Sequence, residues 1–405
     1  MINNKKAHKP RVVYFHRYPV EFEAVQFPAA KAIFEELGKK YELTYFSMKS
    51  RTPDRDLRKM IKIKEIPLFV DQTKFFDKWF KTGLYYLFLP ITLLRLKRIN
   101  PDFIICQETL PFVPSLIGIL GKPYSLAISD WWWSILFGKR KIGKKFANFM
   151  EKIEVSHWNK WKSIAIAHTK AEAKMVEQKG LSHKKIKIIH VPMPDGLFFP
   201  YNASSERKKL GIKKNDWVVA VHGIIHPSKG YDQILKWWKK VVDVYGNWKF
   251  LIIGGAGGED WCKKLIKKLN IGRNVIMTGW LPKQSDVNRY LNAADCLLVT
   301  RRNTGENVGI IPSSLYHSMP TGKPTVATGL EGHAEIITHG VDGFLYEPDH
   351  FESFKSILEH LYKNPKIARK IGEAGIKRAN ECFSSKKTAI NYREIVDNSL
   401  VIKKK

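Results

Sequence analysis

The residues from Asn303 to Pro348, NTGENVGIIPSSLYHSMPTGKPTVATGLEGHAEIITHGVDGFLYEP, are of types that can hold a diphosphate. Behind Pro312, Ser313 and Ser314 open a helix with side-chain oxygens suited to capping its first amides. Gly309 just upstream lets the backbone approach a ligand closely. Free N–H groups and the dipole at such a helix start attract an anion. Thr325–Thr328 then reads as a short strand entered from the Gly322-Lys323-Pro324 turn.

Elements that could position these residues recur along the whole chain. Strands are expected at Arg11–His16, Glu42–Ser47, Pro101–Cys106, Tyr124–Ile128, Ser163–Ala167 and Lys187–Val191, with a helix around Pro28–Lys39. PMPDGLFFPYN (Pro192–Asn202) breaks the pattern and reads as an interdomain linker. A second series follows at Trp217–His222, Trp248–Ile253, Asn274–Met277, Cys296–Val299 and Pro324–Ala327. Buried apolar strands alternating with helices predict parallel sheets covered on both faces, built twice.

A chain of 405 residues, 44% hydrophobic and 12% aromatic, is long enough for two cores. Its four cysteines are scattered without paired spacing, which argues against a zinc site or a disulfide framework and suits a reducing compartment. The start, MINNKKAHKPRVVYFHRYP, lacks the apolar core of a signal peptide.

A net charge of +31 calls for an anionic partner. Residues 139–187 carry fourteen Lys/Arg against Glu151, Glu154, Glu172 and Glu177. Thr82–Leu94, TGLYYLFLPITLL, is uncharged and bracketed by basic residues. It is shorter than the roughly 20 residues that span a bilayer. It reads either as an interfacial segment on an anionic membrane or as a buried helix with solvated ends. Nucleic acid is the weaker reading, because no nucleic-acid-binding motif accompanies the charge.

Several segments in order resemble glycosyltransferases of GT-B fold, of the retaining family 4 type (glycosyl transferases group 1). HGIIHPSKGYDQIL (His222–Leu235) resembles the family's Gly-Arg…Lys-Gly element, with Lys229 and Gly230 in register. FLIIGGAGGED, VIMTGWLP, AADCLLVTR and GKPTVATGLEGHAEII follow in the family's order, and the linker FFP and IAHTKAEAKMVEQKG also fit. The resemblance implies an α/β GT-B protein: two doubly wound Rossmann-like domains facing across a cleft. Residues 1–195 would bind the acceptor and 196–385 the nucleotide-sugar donor, with a C-terminal helix, 386–405, crossing back to the first domain.

By the same resemblance, Lys229 and Gly223 would serve the donor phosphates, without a metal or other cofactor. The companion arginine is replaced by Ile224, and His226, Arg301 or Arg302 could stand in for it. The family's two glutamates, eight positions apart, are not both present. Glu306 resembles the first, but Ser314 lies eight residues on; aligning PSSLYHSMPTGKP instead sets Gly309 and His317 at the two positions. The amides of Gly309, Ile310, Ser313, Ser314 and Leu315 would hold the diphosphate, Glu306 and His317 the sugar and ribose, and Trp280 or Leu281 the base. Asp130 in AISDWWWS, beside Ser129, would address the acceptor hydroxyl or else cap the next helix. Arg17, Glu108 and Trp131 would line the acceptor side. Three consecutive tryptophans, Trp131–Trp133, cannot all share one helix face.

Gly254, Gly255, Gly257 and Gly258 form a G-G-A-G-G run unlike a dinucleotide fingerprint, and a tight turn is expected there. Glu335 fits a structural helix-start acid. The implied activity is sugar transfer, with retention, from a nucleoside diphosphate sugar to a lipid-linked or membrane-proximal glycan. The implied place is cytoplasmic, peripheral at the inner face of the membrane. A non-catalytic GT-B-like membrane-associated protein is the other reading.

Overall fold

A computed structural model describes residues 9–21, 29–50, 53–69, 75–108, 110–128, 132–137, 141–193, 196–255, 257–304 and 308–401. The chain divides into two compact units, 1–192 with 385–405, and 193–384.

The first unit is a seven-stranded parallel sheet. Its strands are β1 (Arg11–Phe15), β2 (Glu42–Lys49), β3 (Lys62–Phe69), β4 (Phe103–Cys106), β5 (Tyr124–Ile128), β6 (Ser163–Ala167) and β7 (Ile186–Ile188). They lie in the order β3-β2-β1-β4-β5-β6-β7. Nearly continuous apolar runs such as VVYF and FIIC bury both faces of each central strand, as a sheet covered by helices on both sides requires. One face packs on helices 75–99, 113–118, 141–160 and 170–178 through Tyr85, Leu89, Ile117, Val155 and Val176. The other packs on helices 30–38 and 385–401 through Phe34, Leu37, Tyr392 and Val396. There Tyr14 stacks on Tyr45 with ring centroids 5.4 Å apart.

Of the two readings of Thr82–Leu94, the buried helix describes one side of what is seen. The segment is the centre of helix 75–99. Tyr85, Leu89 and Leu96 are buried, while Leu87, Ile91 and Leu94 are exposed on the opposite side. Among the described residues, no helix is long and apolar enough to cross a membrane.

The second unit is a six-stranded parallel sheet. Its strands are β8 (Trp217–His222), β9 (Trp248–Ile253), β10 (Val275–Met277), β11 (Cys296–Val299), β12 (Thr325–Thr328) and β13 (Phe344–Tyr346), in the order β10-β9-β8-β11-β12-β13. Trp238 and Trp248 are the largest side chains of its core. In each unit the order reverses at one point, between β1 and β4 and between β8 and β11. Loops leaving the carboxyl ends of those strands splay apart, which makes a crevice.

Candidate functional site

At the second switch point β8 ends at His222, and the chain runs through Gly223 (φ +115°) to a single turn, Pro227–Lys229, closed by Gly230 (φ +76°). His226 Nδ1 caps that turn by accepting from Ser228 N at 3.2 Å. The loop rests on the glycine run behind β9. Gly223 N donates to Ile253 O and Ile225 N to Gly255 O, each at 2.9 Å. A Cβ on Gly254 would collide with the Gly223 carbonyl oxygen, and one on Gly258 with that of Ile225. Gly254 and Gly258 therefore form a bed for the neighbouring loop, a role beyond the tight turn expected of the run, whose Ala256 lies outside the described residues.

Lys229 folds back over the start of this loop. Its Nζ would lie 3.3 Å from a Cβ placed on Gly223, so glycine leaves the ammonium room. Burial pushes Lys229 down to about 8, and the charge of nearby Arg301 adds to the shift. Burial also lowers Arg301. Among the described residues no carboxylate pairs with Lys229. Two cations held together in a half-buried site suit a dianionic ligand.

Of the three candidates to offset Ile224, two are committed elsewhere. His226 is a cap, and Arg302 pairs with Asp232 and, at 3.7 Å, with Asp349. Arg301 is the cation beside Lys229. Its backbone is fixed by a network that sequence reading did not reveal. Arg301 N donates to Thr328 Oγ1 at 3.1 Å, Thr328 Oγ1 lies 2.6 Å from the Tyr346 hydroxyl, and that hydroxyl donates to Thr300 Oγ1 at 3.1 Å. His333 Nδ1 sits 2.7 Å from Thr328 O, and burial pushes this histidine down to about 4.

His317 is not an exposed histidine on a surface helix. It lies in helix Ser313–Ser318, its ring stacked on Phe198 at 4.1 Å, with Nδ1 3.1 Å from His222 Nε2. Burial pushes His222 down to about 3, with the charge of Lys229 contributing, and holds His317 well below its ordinary value. Both rings are neutral at pH 7, so one N–H serves the pair. His222 Nδ1 is buried without a partner. An unpartnered acceptor there is tolerated more readily than an unpartnered donor. This assigns the proton of His222 to Nε2, donating to His317 Nδ1, and leaves His317 with its own proton on Nε2. His317 then offers a hydrogen-bond donor to a ligand. His222 and Phe198 fall in segments that resemble the family, but nothing in the sequence pairs either with His317, since they lie 95 and 119 residues away and only the fold brings them together.

Other expectations need correction at this helix. Its N-cap is Pro312, with no side-chain cap, so Ser313 and Ser314 do not serve as caps. Leu315 is buried in the core and its N–H is spent on Pro312 O at 2.9 Å, which removes it from any ligand. Ser313 is exposed and Ser314 half-buried. Gly309 and Ile310 run against the first turn of helix Glu331–Ile336, where a Cβ on Gly332 would lie 2.6 Å from Ile310 O. Glu335 lies late in that short helix, not in its first turn. After β10, Trp280 is 60% exposed, whereas Leu281 packs against the core and is poorly placed to border a base.

At the first switch point Arg17 and Glu108 meet. Both are buried, with Nη1 and Oε1 3.2 Å apart. Glu108 Oε1 also accepts from Leu110 N at 2.9 Å, and Arg17 donates to the Tyr18 hydroxyl at 3.0 Å. The geometry pairs these two with each other, so neither presents an uncompensated charge to a ligand. Asp130, Trp131 and Glu306 lie outside the described residues. Trp133 turns inward, donating from Nε1 to Glu154 Oε2 at 2.7 Å. No group of three or more metal-ligating side chains is found among the described residues.

Residues 202–378 match the family model described as Glycosyl transferases group 1. An uncharacterized glycosyltransferase of Haemophilus influenzae is 26% identical over 200 residues, 49% of this chain and 51% of that protein. N-acetyl-alpha-D-glucosaminyl L-malate synthase of Bacillus anthracis is 24% identical over 215 residues, 53% and 54% of the two chains. The chain thus spans about half the length of the curated relatives it matches. Among solved structures, Anabaena HepE in complex with UDP-glucose superposes with a TM-score of 0.69 at 16% identity, over 96% of this chain and 99% of that one. Sucrose-phosphate synthase of Thermosynechococcus elongatus superposes with a TM-score of 0.70 at 13% identity, over 97% and 100%. These likenesses are of fold: the two parallel sheets are those of the GT-B fold. The resemblance to glycosyl transferases group 1 read from the sequence is borne out.

Proposed function

We propose that this protein transfers a sugar from a nucleoside diphosphate sugar to an acceptor hydroxyl, with retention at the anomeric carbon and without a metal or other cofactor. The observation that carries this reading is the pair Lys229 and Arg301, half-buried at the β8/β11 switch point with no carboxylate on Lys229 among the described residues. In that role the two cations stabilise the diphosphate as it leaves, in place of a divalent ion. The amides along Gly309–Ser314 face the same phosphates, and Gly223 keeps the approach open. His317 donates from Nε2 to a ribose hydroxyl, Trp280 offers its exposed ring to the base, and Glu306 addresses the sugar. HepE is described in complex with UDP-glucose, which makes uridine the first base to test.

On the acceptor side Asp130 orients the attacking hydroxyl. The net charge of +31 supports a lipid-linked or membrane-proximal glycan as acceptor, reached from the cytoplasmic face of a membrane. Titration calorimetry with UDP, GDP and ADP tests the donor half of this reading. One nucleotide should bind, and Lys229→Ala and Arg301→Gln should each weaken it by about tenfold or more, the loss of one charge-assisted contact. Binding of none of the three would favour a non-catalytic GT-B-like protein, in keeping with the replacements at Ile224 and His317.

A further inference from the structure

Helix 141–160 carries a second apolar stripe on the side facing away from its own core. Ala147, Glu151, Glu154, Val155 and Trp158 are its buried positions. Ile142, Phe146 and Phe149 follow at i, i+4 and i+7, which sets them on the opposite side of the helix. They are exposed, Ile142 to 84% and Phe149 to 61%. Leu136 and Phe137, from the short helix Trp132–Phe137, extend the patch and are also exposed. Phe146 packs edge-on against Phe137 at 5.3 Å.

The charges of this helix are sorted. Both its acids face inward: Glu151 accepts from Ser134 and Lys179, and Glu154 from Phe112 N and Trp133. Its lysines, Lys141, Lys144, Lys145, Lys152 and Lys160, all face solvent. Helix 75–99 lies in the same layer over the sheet and repeats the arrangement. Leu87 is 73% exposed, with Ile91 and Leu94 beside it and Arg95, Lys97 and Arg98 exposed at the helix end. The two helices share a pinned turn, since Tyr86 donates to Pro111 O at 3.0 Å and Phe112 N donates to Glu154.

We infer that this face, formed by the outer sides of helices 75–99 and 141–160, seats the protein on an anionic phospholipid bilayer. Apolar side chains flanked by the exposed Lys141, Lys144, Lys145, Arg95, Lys97 and Arg98 match an interface in which acyl chains lie beneath anionic headgroups. A second copy of the chain would set lysine against lysine. RNA would leave Ile142, Leu87 and Leu94 without partners, because aliphatic groups contribute little to phosphate binding. The inference deepens the lipid-linked acceptor proposed above. It is measured without sugar transfer, so failure of one reading leaves the other standing.

The test is vesicle flotation of the full chain with phosphatidylcholine alone and with about one-third phosphatidylglycerol, at about 0.1 M and about 0.5 M salt. The protein should float with the anionic vesicles only, and less at high salt. The double variant Ile142→Ser/Phe149→Ser should weaken binding by about tenfold or more without lowering the melting temperature, since both side chains are exposed. Lys144→Gln/Lys145→Gln should weaken it and reduce the salt dependence. Val244→Ser, an exposed apolar position of the other unit, should change nothing. Equal flotation with neutral vesicles, or unchanged binding by the Ile142/Phe149 variant, would overturn the inference. So would self-association, or RNA binding in preference to vesicles, that this variant abolishes.

Discussion

Lys229, held near 8, is charged through the neutral range and loses its proton within the reach of ordinary buffers. A bound diphosphate favours the charged form, so above pH 8 binding must take up a proton. Once the nucleotide's own terminal phosphate has ionised, at about pH 7, nucleotide affinity should be flat to about 7.5 and then weaken as pH rises through about 8, by at most tenfold per pH unit. Calorimetry in two buffers of different ionisation heat measures the proton uptake directly. An affinity constant up to pH 9.5 would remove Lys229 from the phosphates. The glycine bed under its loop makes a second expectation. Gly254→Ala places a Cβ against the Gly223 carbonyl at φ +127°, whereas Gly257→Ala, at φ +104°, meets nothing within 4 Å. Gly257→Ala should cost only backbone strain, about 1–2 kcal/mol, and keep binding. Gly254→Ala should cost more and lose binding with it, and denaturant titration of both variants measures the difference.

Elements are held to their sheets by buried polar pairs as well as by apolar faces, and helix 141–160 shows this most clearly. Glu151 is wholly buried and receives Lys179, Ser134 N and Ser134 Oγ. Glu151→Ala would take the buried carboxylate from the Lys179 ammonium and release the helix Trp132–Phe137. The loss should be about 3 kcal/mol, the cost of removing one member of a buried pair. It should leave UDP affinity untouched, because no residue of the second unit is involved. Much of this architecture was legible in the chain. Runs such as VVYF, FIIC and CLLV announce buried parallel strands, and the strands observed there agree to within a residue or two. Strand β3, KIKEIPLF, was not legible. It is an edge strand whose exposed side carries Lys62 and Lys64, and Pro67 breaks its pattern, so it lacks the apolar run of a central strand. Within the site, Lys229 was legible from its loop, but the partner histidine of His317 and the choice of Arg301 over Arg302 were not. Both depend on contacts between residues far apart in sequence, for which no local spacing stands as a sign.

The two units differ as whole bodies in how they bind protons. The second holds His222 at about 3 and His333 at about 4, with His317 also well below its ordinary value, all through burial. Unfolded, these histidines would titrate near 6.5. Between there and pH 4 the unfolded state binds more protons than the folded one, so stability falls as pH falls. From pH 6.5 to 5 the second unit should lose roughly 3–5 kcal/mol, since each of two or three rings contributes about 1.6 kcal/mol over that interval. The first unit carries opposed groups. Burial pushes Glu154 up to about 7, so its folded state binds the extra proton between 4.5 and 7, and this carboxyl adds stability as pH falls through that window. His168, lowered by burial, subtracts from it below 6.5. The two act in opposite directions, so the first unit should change less than the second over the same range. Scanning calorimetry at pH 7.5 and pH 5 should therefore show two transitions that draw apart on acidification, the second unit melting first. His333→Gln should reduce the separation, because glutamine takes up no proton on unfolding, while Glu154→Gln should remove the acid-side gain of the first unit alone. Transitions that shift together by the same amount would mean that the buried histidines of the second unit are not held neutral.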